Sequence, residues 1–147
     1  MFLLDGSSIQ LSHTQELVEA YPPQSNQFAV SHWPLMRVVV AHDVVSGLAV
    51  RPCWGPMIGA GAVSEQGLAK EIMGRLPVGC GVMGDRNFGV FCMACHARRQ
   101  NHPCLFRLTE ARARKLNGGI KPNAKTDRSI HWISSREGSY IFSPPWI

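Results

Sequence analysis

No apolar run in this sequence of 147 residues approaches the roughly 20 residues that a helix needs to cross a bilayer. The opening "MFLLDGSS" meets a carboxylate at Asp5, too early for the apolar core of a signal peptide, so the expected address is the cytoplasm. Charge is sparse at 17% of residues against 45% hydrophobic, the balance of an ordinary globular protein and neither a disordered tail nor a coiled coil. No internal repeat is present. The cysteines are few and odd in number, five in all, and no secretory signal precedes them. A disulfide framework is therefore not expected, and reduced thiols are. The length is near that of one domain, large enough to bury a real core and too short for two.

What charge there is lies unevenly. Residues 1–85 hold four Lys and Arg against seven Asp and Glu, and residues 86–147 hold eleven against three, a balance of −3 beside +8. Within one domain this asymmetry predicts a surface for a polyanion next to a more acidic region, with a solvated basic face as the plainer explanation. Arg107, Arg112, Arg114, Lys115, Lys121 and Lys125 are the candidate phosphate contacts on the basic side, with double-stranded DNA as the expected partner.

The hydrophobic pattern predicts an order of elements. "FLL" before Asp5 is a short, continuously apolar run suited to a buried strand, and "DGSS" supplies turn chemistry to end it. From His13 to Trp33 the chain is polar and contains proline, a surface excursion with at most one short helix. "LMRVVVAHD" and "GLAVRPCW" read as strands joined through "VVSG", a hairpin signal. "SEQGLAKEIMGRLP" has Ser64 as N-cap, Leu68, Ile72 and Leu76 on one face, and Pro77 as a stop. "CGVMGD" is another buried strand, ending at Asp85; "GVFCMACHARRQ" has helical period; "PCLFRL", "RSIHWIS" and "SYIFS" read as further strands. Strands alternating with helices in this order predict an α/β domain with a mixed sheet and flanking helices.

In such sheets a ligand site lies beyond the carboxyl ends of strands, where Asp5 and Asp85 are both expected. Two carboxylates converging on one site repel unless a cation lies between them or one keeps its proton. Magnesium suits the pair, because it takes hard oxygen ligands and leaves room for water and phosphate oxygens. Beside a basic surface, this chemistry is phosphoryl transfer on nucleic acid. Each aspartate also has a plain reading as a turn residue. Asp43, before "VVSG", is expected to be one, and Glu65 is placed where a helix dipole favours a carboxylate in any case.

The segments "FLLDGSS", "VVVAHDVVSGLAV", "SEQGLAKEIMGRLP", "GVMGDRNFG", "LFRL" and "DRSIHWISS", in this order, resemble the catalytic domain of the DDE transposases of bacterial insertion sequences. The resemblance covers nearly the whole chain and is sharpest in the pairing of "DG[ST]" with "DR-x-[FY]". It implies a ribonuclease H-like fold, and metal-dependent cutting and strand transfer of DNA. Asp5 and Asp85 take the places of the first and second catalytic, metal-holding aspartates. Arg86 and Phe88 match the residues that follow the second, and Arg107 matches a basic strand position. Two Mg2+ ions, or Mn2+ in their place, are the implied cofactors, and element ends, target DNA and a second copy of the chain the implied partners. Two departures accompany it. Asn87 stands where the family usually has glycine, and the third acidic ligand, a glutamate on a later helix, has no counterpart before Ile147. The expectation is thus a single partial DDE domain over residues 1–147, ending before the third acidic residue, with an inactive DNA-binding remnant as the alternative.

Other patterns carry less. "CMACH", Cys92 to His96, has the form of a c-type haem attachment site, yet that chemistry needs an exported chain. Zinc through Cys92, Cys95, His102 and Cys104 has irregular spacing, and the small sulfur side chains read more simply as core fillers. A phosphatase-like aspartate nucleophile at Asp5 would need an acidic partner two residues away, where Leu3 and Ser7 stand.

Overall fold

The computed structural model describes residues 1–24, 31–116, 118 and 119. The expected strands "RSIHWIS" and "SYIFS", and the basic positions Lys121 and Lys125, lie outside the described residues. The described chain is α/β, with a mixed five-stranded sheet and flanking helices. The elements are β1 (Phe2–Gln10), α1 (Gln15–Ala20), β2 (Leu35–Asp43), β3 (Cys53–Pro56), α2 (Glu65–Met73), β4 (Val82–Gly84), α3 (Phe91–Arg99), β5 (Cys104–Phe106) and α4 (Glu110–Leu116). The sheet order is β3-β2-β1-β4-β5. β1 to β3 form an antiparallel meander, and β4 and β5 add to it in parallel.

β1 departs from expectation. "DGSS" does not end it, because β2 pairs with it from Phe2–Asp43 through Gln10–Leu35 and satisfies the backbone of those polar residues in the ladder. The third strand is displaced as well. Leu48 to Pro52 hold only a bridge between Ala49 and His42, and regular pairing resumes at Cys53. Pro52 has no N–H to give a ladder, which accounts for the late start. The turn between these strands is built on Asp43, as anticipated. Its carboxylate accepts from the Ser46 hydroxyl at 2.8 Å and the Ser46 N–H at 3.2 Å. The hydroxyl bond, then the amide bond, holds the Asp43 carboxyl below its ordinary range.

α2 forms as its sequence predicts. The Ser64 hydroxyl accepts from the Gly67 N–H at 2.9 Å, and Leu68, Ala69, Ile72 and Met73 turn inward. They meet Leu4, Val39, Ala41 and Val82 from one face of the sheet, with Met93 and Ala97 of α3 completing the core. On α3 the buried positions are therefore Met93 and Ala97, while Cys92 is exposed and Cys95 and His96 half-buried. The core-filling role expected of the sulfurs falls to their neighbours. The other sheet face presents Leu3, Trp54 and Leu105, exposed at 42%, 48% and 64%. α4 has no periodic apolar stripe and no buried residue, which is why sequence pattern did not predict it.

Two histidines fasten the helical layer. His96 on α3 lies with Nε2 3.2 Å from the Lys70 carbonyl of α2. Burial pushes its pKa down, and the Lys70 carbonyl opposes this in part. His102 is the buried polar side chain of the core. Its Nδ1 lies 3.1 Å from the Cys80 carbonyl and its Nε2 3.1 Å from the Met73 carbonyl. Carbonyls only accept, so both contacts are hydrogen bonds when both ring nitrogens carry hydrogen. A ring with one N–H can keep Met73 and accept from the Cys80 thiol, 3.6 Å from Nδ1.

Replacing His102 with Leu is therefore expected to destabilise the fold by about 2–3 kcal/mol, because buried carbonyls lose their donor. Val78→Ala, at a site 80% exposed, should change stability by less than about 0.5 kcal/mol in the same denaturant titration. For His96 the folded pKa lies below the unfolded value of about 6.5, so the unfolded chain takes the proton first. Its contribution is present above that pH and is lost as pH falls through the folded pKa. The melting temperature of the wild type should drop more than that of His96→Gln between pH 7 and pH 5.

Candidate functional site

The parallel pairing of β1 with β4 runs Phe2 to Val82, Leu3 to Met83 and Leu4 to Gly84. The next residues after the last pair are Asp5 and Asp85, so two carboxylates 80 positions apart in sequence each follow the end of the same short parallel ladder. Asp5 remains within β1, opposite Val40 of β2, and Asp85 begins the turn after β4. Both are exposed. Side chains alternate along a strand, so Asp5 shares its face with exposed Leu3, while Leu4 and Gly6 belong to the face under α2. Asp5 is thus not at the end of its strand, as the sequence suggested. It stands where the β4 partner strand ends.

The turn after Asp85 is held at every residue. The Asn87 N–H donates to Asp85 Oδ1 at 2.8 Å, and the Phe88 N–H donates to the Asp85 carbonyl at 3.2 Å. Phe88 is only 1% exposed and anchors the turn in the core. It packs where Gly84 has no side chain, since a Cβ there would come within 2.8 Å of the Phe88 ring. Gly89 lies directly against the Arg107 carbonyl, leaving no space for a Cβ. Asn87 has no positive φ; among the described non-glycine residues that backbone state belongs to Asn101. The turn therefore makes no use of the left-handed conformation that asparagine tolerates better than most residues.

Two helices brace this turn. From α2, Gln66 Nε2 donates to the Asn87 carbonyl at 3.0 Å, and Glu65 Oε2 accepts from Asn87 Nδ2 at 2.7 Å. Glu65 also lies over Gly6, where a Cβ would collide with its carboxylate. From α4, Arg112 Nη1 donates to the Arg86 carbonyl at 2.9 Å and the Gly89 carbonyl at 3.3 Å. Arg112 was a candidate phosphate contact, and here its guanidinium is engaged in shaping the Asp85 turn. Arg86 and Arg107 are exposed beside Asp85, the Arg107 N–H donating to the Gly84 carbonyl at 3.1 Å. Arg114 pairs with Glu110 one turn back, at 2.9 Å, and Lys115 is exposed on the same helix.

Sequence reasoning missed the part played by Asn87 and Gln66. The signal was the run "DRNFG" itself, an amide beside a carboxylate in a turn. No set of three or more His, Cys, Asp or Glu among the described residues is arranged to hold one metal ion. The zinc grouping of Cys92, Cys95, His102 and Cys104 is therefore not assembled, and its histidine faces two carbonyls in the core. Burial also pushes the Cys95 and Cys104 thiols up, away from the thiolate form that binds metal. No family model, curated protein or solved structure matches the chain.

The two close glycines differ in what a methyl group would meet. Gly89→Ala confronts backbone and should cost about 1–3 kcal/mol. Gly6→Ala confronts the movable end of Glu65 and should cost less than about 1 kcal/mol. Equilibrium unfolding of both variants checks the order.

Proposed function

We propose that the chain is the DNA-processing domain of a DDE-type transposase, with a ribonuclease H-like fold and a phosphoryl-transfer site centred on Asp5 and Asp85. The observation that carries this reading is the parallel β1–β4 register, whose last paired residues, Leu4 and Gly84, are each followed directly by an aspartate. The mixed sheet with helices at its flanks is compatible with that fold. The basic balance after Asp85 supports a polyanionic substrate, double-stranded DNA at element ends and target.

The donors fit a hard divalent cation. Both groups are exposed oxygen ligands, and like charges side by side are relieved by a cation between them. Asp5 and Asp85 would hold Mg2+, or Mn2+ as a substitute. When bound, the ion supplies Lewis-acid stabilisation of charge on a phosphodiester oxygen. The chain's own residues supply position. Asn87 N–H occupies one oxygen of Asp85 and leaves the other for the ion. Arg86, which follows the aspartate, and Arg107 would take DNA phosphates, with Arg114 and Lys115 of α4 as further cations and Lys121 and Lys125 continuing the basic run in sequence. Arg112 keeps the carbonyls of Arg86 and Gly89 in place.

A DNA-binding domain without turnover is the second reading. Glu65 favours it: this carboxylate is tied to Asn87 and lies over Gly6, on the other side of β1 from Asp5.

Calorimetric titration with manganese tests the metal site. Asp85→Asn should keep the fold and weaken Mn2+ binding by about tenfold or more, whereas Arg86→Ala should leave it near the wild-type value. Equal affinity in wild type and Asp85→Asn would end the proposal. Duplex DNA binding should weaken steeply as salt rises, because phosphate contacts release counterions; binding without a salt slope would remove DNA as the partner. A nicking assay with magnesium separates the two readings, turnover supporting the first and binding without turnover the second.

A further inference from the structure

The hydrogen bonds around Asn87 have a direction that its backbone conformation does not explain. Its side-chain amide donates to Glu65 at 2.7 Å, its carbonyl accepts from Gln66 at 3.0 Å, and its N–H donates to Asp85 at 2.8 Å. One exposed residue thus links the first turn of α2 to the carboxylate after β4. Two of these three acceptors, Glu65 and Asp85, are carboxylates, and a bond to a charged partner is about twice as strong as a neutral one. Gly6, with no side chain, leaves the room in which the Glu65 carboxylate lies as it reaches the Asn87 amide.

We infer that Asn87 is a positioning residue for Asp85, and that Glu65 acts through it as an anchor and not as a ligand of the ion. The inference rests on the proposed metal site and adds to it what fixes the geometry of its second aspartate. The Asn87 N–H and side-chain amide belong to one residue, so tension on the amide from Glu65 sets where the N–H meets Asp85 Oδ1. Ligand orientation by such hydrogen-bonded partners governs metal affinity.

The roles of Glu65 as anchor and as ligand predict different outcomes for a neutral isostere. Glu65→Gln keeps an oxygen to accept from Asn87 and loses the charge; Glu65→Ala loses both. Manganese affinity is measured calorimetrically for wild type, Asn87→Ala, Glu65→Gln, Glu65→Ala, the double variant Asn87→Ala/Glu65→Ala, and Asp85→Asn, each checked for folding by circular dichroism. Asn87 is exposed and Glu65 half-buried, neither in the apolar core, so folded variants are expected. Asn87→Ala and Glu65→Ala should each weaken Mn2+ binding by about tenfold. Their combination should be no weaker than the worse single change, because the two act through one bond. Glu65→Gln should remain within about threefold of wild type, since a neutral hydrogen bond is weaker but still present.

Wild-type affinity in Asn87→Ala, or additive losses in the double variant, would overturn the positioning role. A loss in Glu65→Gln as large as in Asp85→Asn would also overturn it, by making Glu65 a ligand. Asp85→Asn binding manganese as tightly as wild type is a separate result: the metal site itself would be wrong, and the inference would fall with it.

Discussion

The pairing of three residues of β1 with three of β4 is the constraint on which the rest depends. Leu4 is fixed in the core by α2 and by Ala41 of β2, and the parallel ladder fixes Gly84 beside Leu4. Once those positions are set, the following residue of each strand has no freedom of register. A slip by one residue would move Leu4 to the open face and bring Asp5 under α2, exchanging a buried leucine for a buried, unpaired carboxylate. Hydrophobic burial on one side of the strand therefore enforces the placement of charge on the other. The core and the candidate site are two consequences of one alternation.

The turn after β4 shows how a short exposed segment acquires a definite shape. Its apolar hold is Phe88, seated where Gly84 lacks a side chain. Its polar hold comes from both sides in sequence, Gln66 and Glu65 of α2 and Arg112 of α4. None of these bonds is strong by itself, since exposed hydrogen bonds contribute about 1 kcal/mol or less. Together with a buried phenylalanine they leave Asp85 few alternatives. Arg112 illustrates a limit of counting charge: a basic residue in a basic segment need not meet phosphate, because a guanidinium has enough donors to organise a loop.

Much of this was legible in the sequence where a local rule has a tertiary counterpart. Ser64 and the spacing of Leu68 and Ile72 defined α2 because capping and burial both act within one helix, while Leu76, read as part of the same face, is buried beyond the helix end at Met73. "LMRVVVAHD" coincided with β2, and Asp43 proved to be a turn residue through bonds to its own next residues. Misreadings arose where the partner decided the outcome. "DGSS" has turn chemistry, but an antiparallel neighbour carries the strand on to Gln10. Arg51-Pro52 interrupts a run that read as one strand, and α4 has no apolar face to announce it. The proximity of Asp5 and Asp85 could be proposed from matching contexts, whereas the Glu65–Asn87 bond joins residues 22 positions apart that no period relates.

The two faces of the sheet divide the work. The face under α2 and α3 is closed, its carboxylate Glu65 already bound to an amide. The face bearing Leu3 and Asp5 is open and retains exposed apolar side chains at Trp54 and Leu105. In the proposed function, substrate would meet the open side, while Glu65 and Gln66 of α2 hold the Asp85 turn through Asn87. Asn87, in the turn after β4, bonds to both Asp85 and Glu65. A site built this way keeps its reactive oxygens exposed to solvent and substrate. Behind it, α2 turns its apolar side into the core and offers Glu65 and Gln66 to the Asp85 turn.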